Sequence, residues 1–320
     1  MKPLIAAAFI LALLYRAYSH KSLTPLGLFT AFLTAVIHAL HPWSTPFTLL
    51  GTFFLLGTWA TKVKHAEKAR LTQSASGAPS GTPEARTHVQ VLANSLAASV
   101  LILAHMYLPP RPVGPANCFN KSDVLIYGIV GNYAATAADT LSSELGILSP
   151  TPPRLVTSLT LRVVPRGTNG GVTLVGLAAG AFGAAVIGVT AALGLPFCST
   201  QWSWADRGLF VAAVTLWGTL GSLLDSVLGG LLQRSVVDGK TGKVIEGAGG
   251  RTVLVTADGA KGKKGEVGGS RRVESGREIL DNNGVNLLMA CIMSVGAVAV
   301  AGVHFEVDWA ETLGYAWIWY

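Results

Sequence analysis

The chain has 320 residues, of which 50% are hydrophobic and only 13% charged, with a formal charge of +7 and a mean hydropathy of +0.48. A soluble globular domain carries roughly 25% charged residues, so this composition excludes that class. Nucleic-acid binding is excluded too, because the Lys and Arg residues lie in connecting stretches and are not interleaved with aromatics on one face.

A hydrocarbon core about 30 Å thick needs ~20 apolar helical residues. In chain order the candidates are Pro3–Tyr18, Leu23–Leu40, Thr45–Ala60, Val89–Leu108, Val124–Asp139, Val172–Leu195, Leu209–Leu232 and Val285–His304. The first and third are short, so about seven to eight transmembrane helices are expected. The fold class read from this pattern is all-α: a polytopic integral membrane protein, one multi-pass domain over residues 1–320. Two polar stretches interrupt it. Residues 62–88 read as a linker rich in Ser, Gly and Ala, and residues 233–283 as a long Gly/Lys-rich loop, partly disordered. Within that loop, "KVIEGAGGRTVLVT" alternates like two strands around a glycine turn.

The positions of the basic residues orient the spans. With eight spans, alternate flanks divide the 24 Lys and Arg residues 20 to 4; the poor set is Lys2, Arg111, Lys121 and Arg207. Cytosolic flanks are enriched in Lys and Arg, so both termini are expected on the non-cytosolic side. The first span lacks a clear small-x-small cleavage site and reads as a retained anchor. The bilayer is therefore a partner, and an endoplasmic reticulum or other endomembrane location is expected. Cys118 and Cys198 fall on non-cytosolic loops, which leaves open whether they pair. Cys291 lies within the last span and reads as packing. Gly176-x-x-x-Gly180 in the sixth span reads as a close helix contact.

Ionisable groups in spans are costly and point to function. Asp139 and Asp225 each come ~17 residues into spans that run in the same direction, and each is followed by a hydroxyl, Thr140 or Ser226. At 1.5 Å rise per residue, both belong near the cytosolic ends of their helices. Asn94, Asn283, Asn286 and Lys62 fall at the same face. Two carboxylates with hydroxyls and amides suit Mg²⁺, a hard cation that prefers oxygen ligands. Glu144 is a third candidate, although an unbroken helix points it ~140° from Asp139. The plainer alternative is that Asp139 ends its helix at the interface and Asp225 bonds a neighbouring helix.

A second constellation is "PRLVTSLTLRVVPRGTNGGVTL". Arg154, Arg162 and Arg166 precede Gly167-Thr168-Asn169-Gly170-Gly171 at the start of the sixth span. A glycine turn at a helix N-terminus offers free N–H groups to an anion, and arginines add paired bonds to phosphate. The run lacks the GK[ST] of a Walker A loop. A capped helix start flanked by topology-setting arginines is the plainer alternative.

The segments "NYAATAADTLSSELG", "PPRLVTSLTLRVVPRGTNGGVTLVG", "GSLLDSVLGGLLQ" and "LDNNGVN" resemble the transmembrane protein 19 family over nearly the whole chain. The resemblance implies a multi-pass fold and, from a plant plastid member, phytyl-phosphate kinase activity. More distantly the family is similar to CTP-using polyprenol and phytol kinases, whose Asp-Ser/Thr motif resembles Asp139-Thr140. The long Gly/Lys-rich loop departs from the plant enzyme, which favours a broader isoprenyl monophosphate as substrate. The expected function is phosphoryl transfer from a nucleoside triphosphate, CTP suspected, to that lipid. In this reading Asp139, with Glu144 or Asp225, holds Mg²⁺. Arg166 and the glycine turn hold the nucleotide, Arg154 or Arg162 grips the acceptor, and the tail lies along the sixth span. The rival is a transporter of a phosphorylated or anionic solute, which would place its polar groups near the midplane.

Overall fold

A computed structural model describes residues 3–74, 85–107, 118–247 and 271–307. Most of them are helical: α1 (Pro3–Ser19), α2 (Pro25–Leu40), α3 (Thr45–Lys62), α4 (His65–Lys68), α5 (His88–Tyr107), α6 (Val124–Gly146), α7 (Leu174–Gly194), α8 (Trp204–Leu232) and α9 (Asn282–His304). Local chemistry sets several starts. Thr24 caps α2 with Pro25 behind it, Thr173 caps α7, and Ser203 with Asp206 forms a capping box at α8. Asp281 caps α9 through the Gly284 N–H at 2.8 Å.

By length and composition α5, α7, α8 and α9 can cross a membrane, and α1 and α2 are shorter apolar helices. Helix α6 is long but more polar, and its position explains why. It is surrounded by α3, α5, α7, α8 and α9, and residues 128–138 along it are all buried. A helix enclosed by protein needs small residues and internal partners more than lipophilicity. Accordingly Asn132 Nδ2 donates to the Asn94 carbonyl at 2.9 Å, and Ser294 Oγ donates to Asn132 Oδ1 at 3.2 Å. Glycines of α7 let it ride against α6. Cβ atoms placed on Gly176, Gly180 and Gly183 would stand 3.1, 3.0 and 2.9 Å from the carbonyls of Ser142, Ala138 and Ala137. The small-residue stripe is thus a packing surface.

At one end, Cys118 and Cys198 are disulfide-bonded, amid the ring cluster of Phe119, Phe197, Trp202 and Phe210. Reducing this bond, which closes a separation of 80 residues, lowers the thermal midpoint in detergent. The chain-entropy limit is about 4.5 kcal/mol. A melt unchanged by reductant would show that the bond carries no stability.

The other end is not purely helical, which corrects the all-α expectation. A four-stranded sheet has the order β1-β5-β4-β6, formed by β1 (Gln73–Ser74), β4 (Ser235–Asp238), β5 (Val244–Glu246) and β6 (Arg271–Ser275). Val244 pairs with Val237 upstream, so the strand foreseen at "KVIE" turns back on β4. The remainder of that expected hairpin, and most of the Gly/Lys-rich stretch, lie outside the described residues. A second pairing joins β2 (Arg154–Leu155) to β3 (Gly171–Val172). The glycine turn therefore leads through a strand into α7, and the helix begins at Leu174. The stretch at 62–88 also contributes structure: α4 and β1 fall within it, and Arg86 pairs with Leu23.

Candidate active site

Helices α6 and α8 run in the same direction and pack together, which brings Asp139 and Asp225 to the same level. Their carboxyl groups lie within hydrogen-bonding reach of each other. Asn286 of α9 completes the group, its amide nitrogen donating to Asp225 Oδ1 at 3.3 Å once the amide is oriented to suit its acceptors. Two carboxylates this close repel unless a cation or proton stands between them. The residues offer hard oxygens from two helices, with the Thr140 and Ser226 hydroxyls on the same cavity wall. That donor set fits Mg²⁺, which commonly takes one or two carboxylates and fills its other positions with water and phosphate oxygens.

The pair lines a cavity of about 850 Å³ at the end of the bundle opposite the disulfide. Its walls divide by chemistry. One side is the glycine turn. Gly167 and Gly170 take left-handed φ values of 85° and 81°. A Cβ on Gly170 would meet Gly230 Cα at 2.8 Å and the Ser226 carbonyl at 2.9 Å. The turn thus lies directly on α8, one step from Asp225. The small sheet supports it from behind, where Ser235 Oγ accepts from the Asn169 N–H at 2.9 Å. Thr168, Asn169, Gly171 and Arg166 also line the cavity. Arg166 is held at the rim by the carbonyls of Ile147 (3.0 Å) and Pro150 (3.3 Å). The N-terminal ends of α7 and α9 face the same space, as Thr173, Asn282 and Asn283 do, so two positive dipole ends favour an anion there.

The other side is built on α1, α2 and α3. Near its mouth stand Arg16, Lys21, Lys62 and Arg86. Arg86 Nη2 donates to Thr61 Oγ1 at 3.2 Å. A Cβ on Gly57 would stand 3.6 Å from both the Arg86 guanidinium nitrogens and the Thr140 methyl, which puts this cation beside the residue after Asp139. Deeper in, the lining turns apolar: Ile10, Leu13, Ala35, Leu50 and Phe53. Asn94 lines the space near Gln90, whose carbonyl it bonds at 2.9 Å.

Several expected roles change. Helix α6 is unbroken from Val124 to Gly146, so Glu144 points away from Asp139 and does not join the carboxylate pair. It accepts from Lys68 Nζ and from Thr61 Oγ1, the latter at 3.1 Å, and Lys68 also bonds the Ala60 and Thr61 carbonyls that end α3. Glu144 is a tie between α6 and α3. Among the described residues no three acidic, His or Cys side chains converge as a metal site. Arg154 and Arg162 do not line the cavity. Arg154 Nη1 bonds the Leu161 carbonyl at 3.1 Å, and exposed Arg162 pairs with Glu274 of β6. The apolar wall also differs: of α7 only Gly176 reaches the cavity among its glycines. Sequence reasoning missed Arg86. It counted as one more loop cation, and only its position directly before Thr87, Gln90 and Asn94 hinted at a site.

Residues 8–294 match the family described as "Integral membrane protein DUF92". Protein PGR of Arabidopsis thaliana is 35% identical over 310 residues, 93% of this chain and 97% of that protein. Protein VTE6, chloroplastic, of Arabidopsis thaliana is 32% identical over 154 residues, 48% of this chain and 42% of that one. Uncharacterized membrane protein MJ0933 of Methanocaldococcus jannaschii is 38% identical over 109 residues, 34% of this chain and 41% of that one. No solved structure matches.

Proposed function

The chain belongs to the DUF92 family of integral membrane proteins, the grouping its motifs resembled, and on that premise we propose that it is a membrane-embedded isoprenyl-monophosphate kinase. The observation that supports this most is the Asp139–Asp225 pair, set between a glycine-lined anion cradle and a cationic mouth that leads into an apolar channel. Such a cavity suits two polyanions, one of them carrying a lipid tail.

In this reading the nucleoside triphosphate, CTP or ATP, lays its phosphates against the Gly167–Gly171 turn, Arg166 and the start of α7. The acceptor phosphate sits near Arg86 and Lys62, with its tail among α1, α2 and α3. The acceptor is largely a dianion near neutrality, since the second pKa of a phosphomonoester is about 6, so no base is required. One of its oxygens forms a bond to the γ-phosphorus. The bond from that phosphorus to the β–γ bridging oxygen breaks, and nucleoside diphosphate leaves. Asp139 and Asp225 would hold Mg²⁺, which would supply positive charge against the phosphates. Asn286 positions Asp225, and Arg86 takes up charge on the acceptor.

The carboxylate pair near one end, with the opposite end closed by rings and a disulfide, favours this reading over a transporter. In this reading the cavity end faces the cytosol, and the start of α1 at Pro3 and the end of α9 at His304 lie on the other side. Endoplasmic reticulum or another endomembrane is the expected residence, whereas VTE6 is chloroplastic by its name. Imaging of the tagged chain tests the compartment.

The decisive assay uses purified protein in detergent with Mg²⁺, labelled CTP or ATP, and farnesyl, geranylgeranyl or phytyl monophosphate. Diphosphate product is the expected result. No product from any pair, with folded protein, sinks the kinase reading and turns attention to transport. Arginine variants refine it. Arg86→Gln raises the acceptor KM by about tenfold, as loss of a charge-assisted bond to phosphate does, whereas Arg162→Gln stays within about twofold. Equal effects from the two would move the acceptor site outward to β6.

A further inference from the structure

The apolar arm of the cavity reaches a packed cluster of side chains. Ile10 of α1, Ala35 of α2 and Leu50 of α3 line it. Ile10 and Ala35 are themselves buried in a cluster with Phe47 of α3, which is 6% exposed and one turn beyond Leu50. On the flank, His38 and Tyr133, both fully buried, bond each other through Nε2 and the phenol oxygen. Among the described residues, the lining on the glycine-turn side is polar and backbone-rich.

The depth follows from helix geometry. Ala35 lies about ten residues along α2 from its start near Arg86, or ~15 Å at 1.5 Å per residue. The arm therefore stops about half-way across a ~30 Å hydrocarbon core. An isoprene unit has four main-chain carbons, and with bonds of ~1.5 Å it extends about 5 Å. The arm holds about three such units.

We propose that Ile10, Ala35 and Leu50, backed by Phe47, form the floor that sets acceptor tail length and restrict this protein to short isoprenyl monophosphates. The inference rests on the kinase reading for its substrate class. Its physical basis is close packing: a tail longer than the arm meets filled volume, and each excluded unit costs several methylene contacts, about tenfold or more in kcat/KM.

The test compares geranyl, farnesyl, geranylgeranyl and a long polyprenyl monophosphate, both as substrates and, without nucleotide, as stabilisers in thermal melts. Wild type is expected to prefer farnesyl or geranylgeranyl over the long polyprenyl acceptor by at least about tenfold. Ala35→Phe shortens the arm and shifts the preference toward geranyl. Phe47→Ala deepens it and narrows the penalty on longer tails. If Phe47→Ala fails to fold, Ala35→Phe alone decides. A length preference in the melts that shifts with Ala35→Phe supports the floor even when no acceptor is phosphorylated; in that case only the kinase reading falls. A response that ignores tail length, or a preference unmoved by Ala35→Phe, overturns the proposal.

Discussion

Replacing Asp139 with Asn lowers phosphoryl transfer by about 10³-fold or more, the scale on which losing a charge stabiliser of the transition state acts, while the protein stays folded. The substitution is nearly isosteric and keeps a polar group on the cavity wall. It removes one of the two carboxylates that face each other across α6 and α8. On the proposed reading, one carboxylate alone would hold Mg²⁺ less tightly. Asp225→Asn acts through the same pair, so the double variant is little worse than either single one. Glu144→Gln behaves differently. It loosens the tie to Lys68 and Thr61 and lowers the melting midpoint, with activity at permissive temperature retained within about tenfold. Single-turnover rates and melts for the three variants separate these roles. Retention of more than about a tenth of wild-type activity in Asp139→Asn would remove the residue from the reaction.

The second large effect is on the glycine turn. Gly170→Ala destabilises the protein by about 2–5 kcal/mol and weakens nucleotide binding with it. Two penalties combine. The backbone sits at φ 81°, which costs a side chain about 1–2 kcal/mol. The new methyl also meets α8 backbone atoms at 2.8 and 2.9 Å, and forcing packed backbone apart costs about 1–3 kcal/mol. Helix α8 carries Asp225 one position before Ser226, so pushing the turn away separates the phosphate cradle from the carboxylate. Gly242→Ala is the control. It shares a left-handed φ of 67° but meets nothing within 4 Å, so only the smaller conformational cost remains. Melts and nucleotide-binding isotherms of both variants check this. If the two variants are equally mild, the turn does not depend on its contact with α8.

The helices were legible because an apolar environment imposes a simple requirement, apolar residues over the length of a helix, and four of them (α5, α7, α8 and α9) are long and apolar enough to cross a membrane. Each of the eight stretches read from the chain contains or overlaps a long helix. Their ends were less legible. Helix α6 continues past Asp139 through "TLSSELG" to Gly146, since polar residues at a helix end facing a cavity need no break. The carboxylates and glycine turn stood out for a similar reason, because Asp in an apolar run and five consecutive small or polar residues before another run are costly choices. "RVVPRGTNGG" placed a turn at the start of α7, but not the strand pairing with Arg154 and Leu155 that intervenes.

Legible from the chain alone were the membrane class, the family and the principal cavity residues, Asp139, Asp225 and Gly167 through Gly171. These follow from local composition and from motifs. The tertiary structure decided which charges share the cavity. Arg154, Arg162 and Arg166 are similar in sequence, yet Arg162 goes to Glu274, 112 positions away, and only Arg166 borders the site. Arg86, which looked like a topology signal, stands beside Thr140 because the α1–α2 turn pairs with it. The apolar arm arises from α1, α2 and α3, while Gly176, Gly180 and Gly183 of α7 pack against α6. The physical reason is common to all of these cases. A side chain's partner depends on how helices pack, and that packing is set by complementary surfaces far apart in the chain, which no local spacing records.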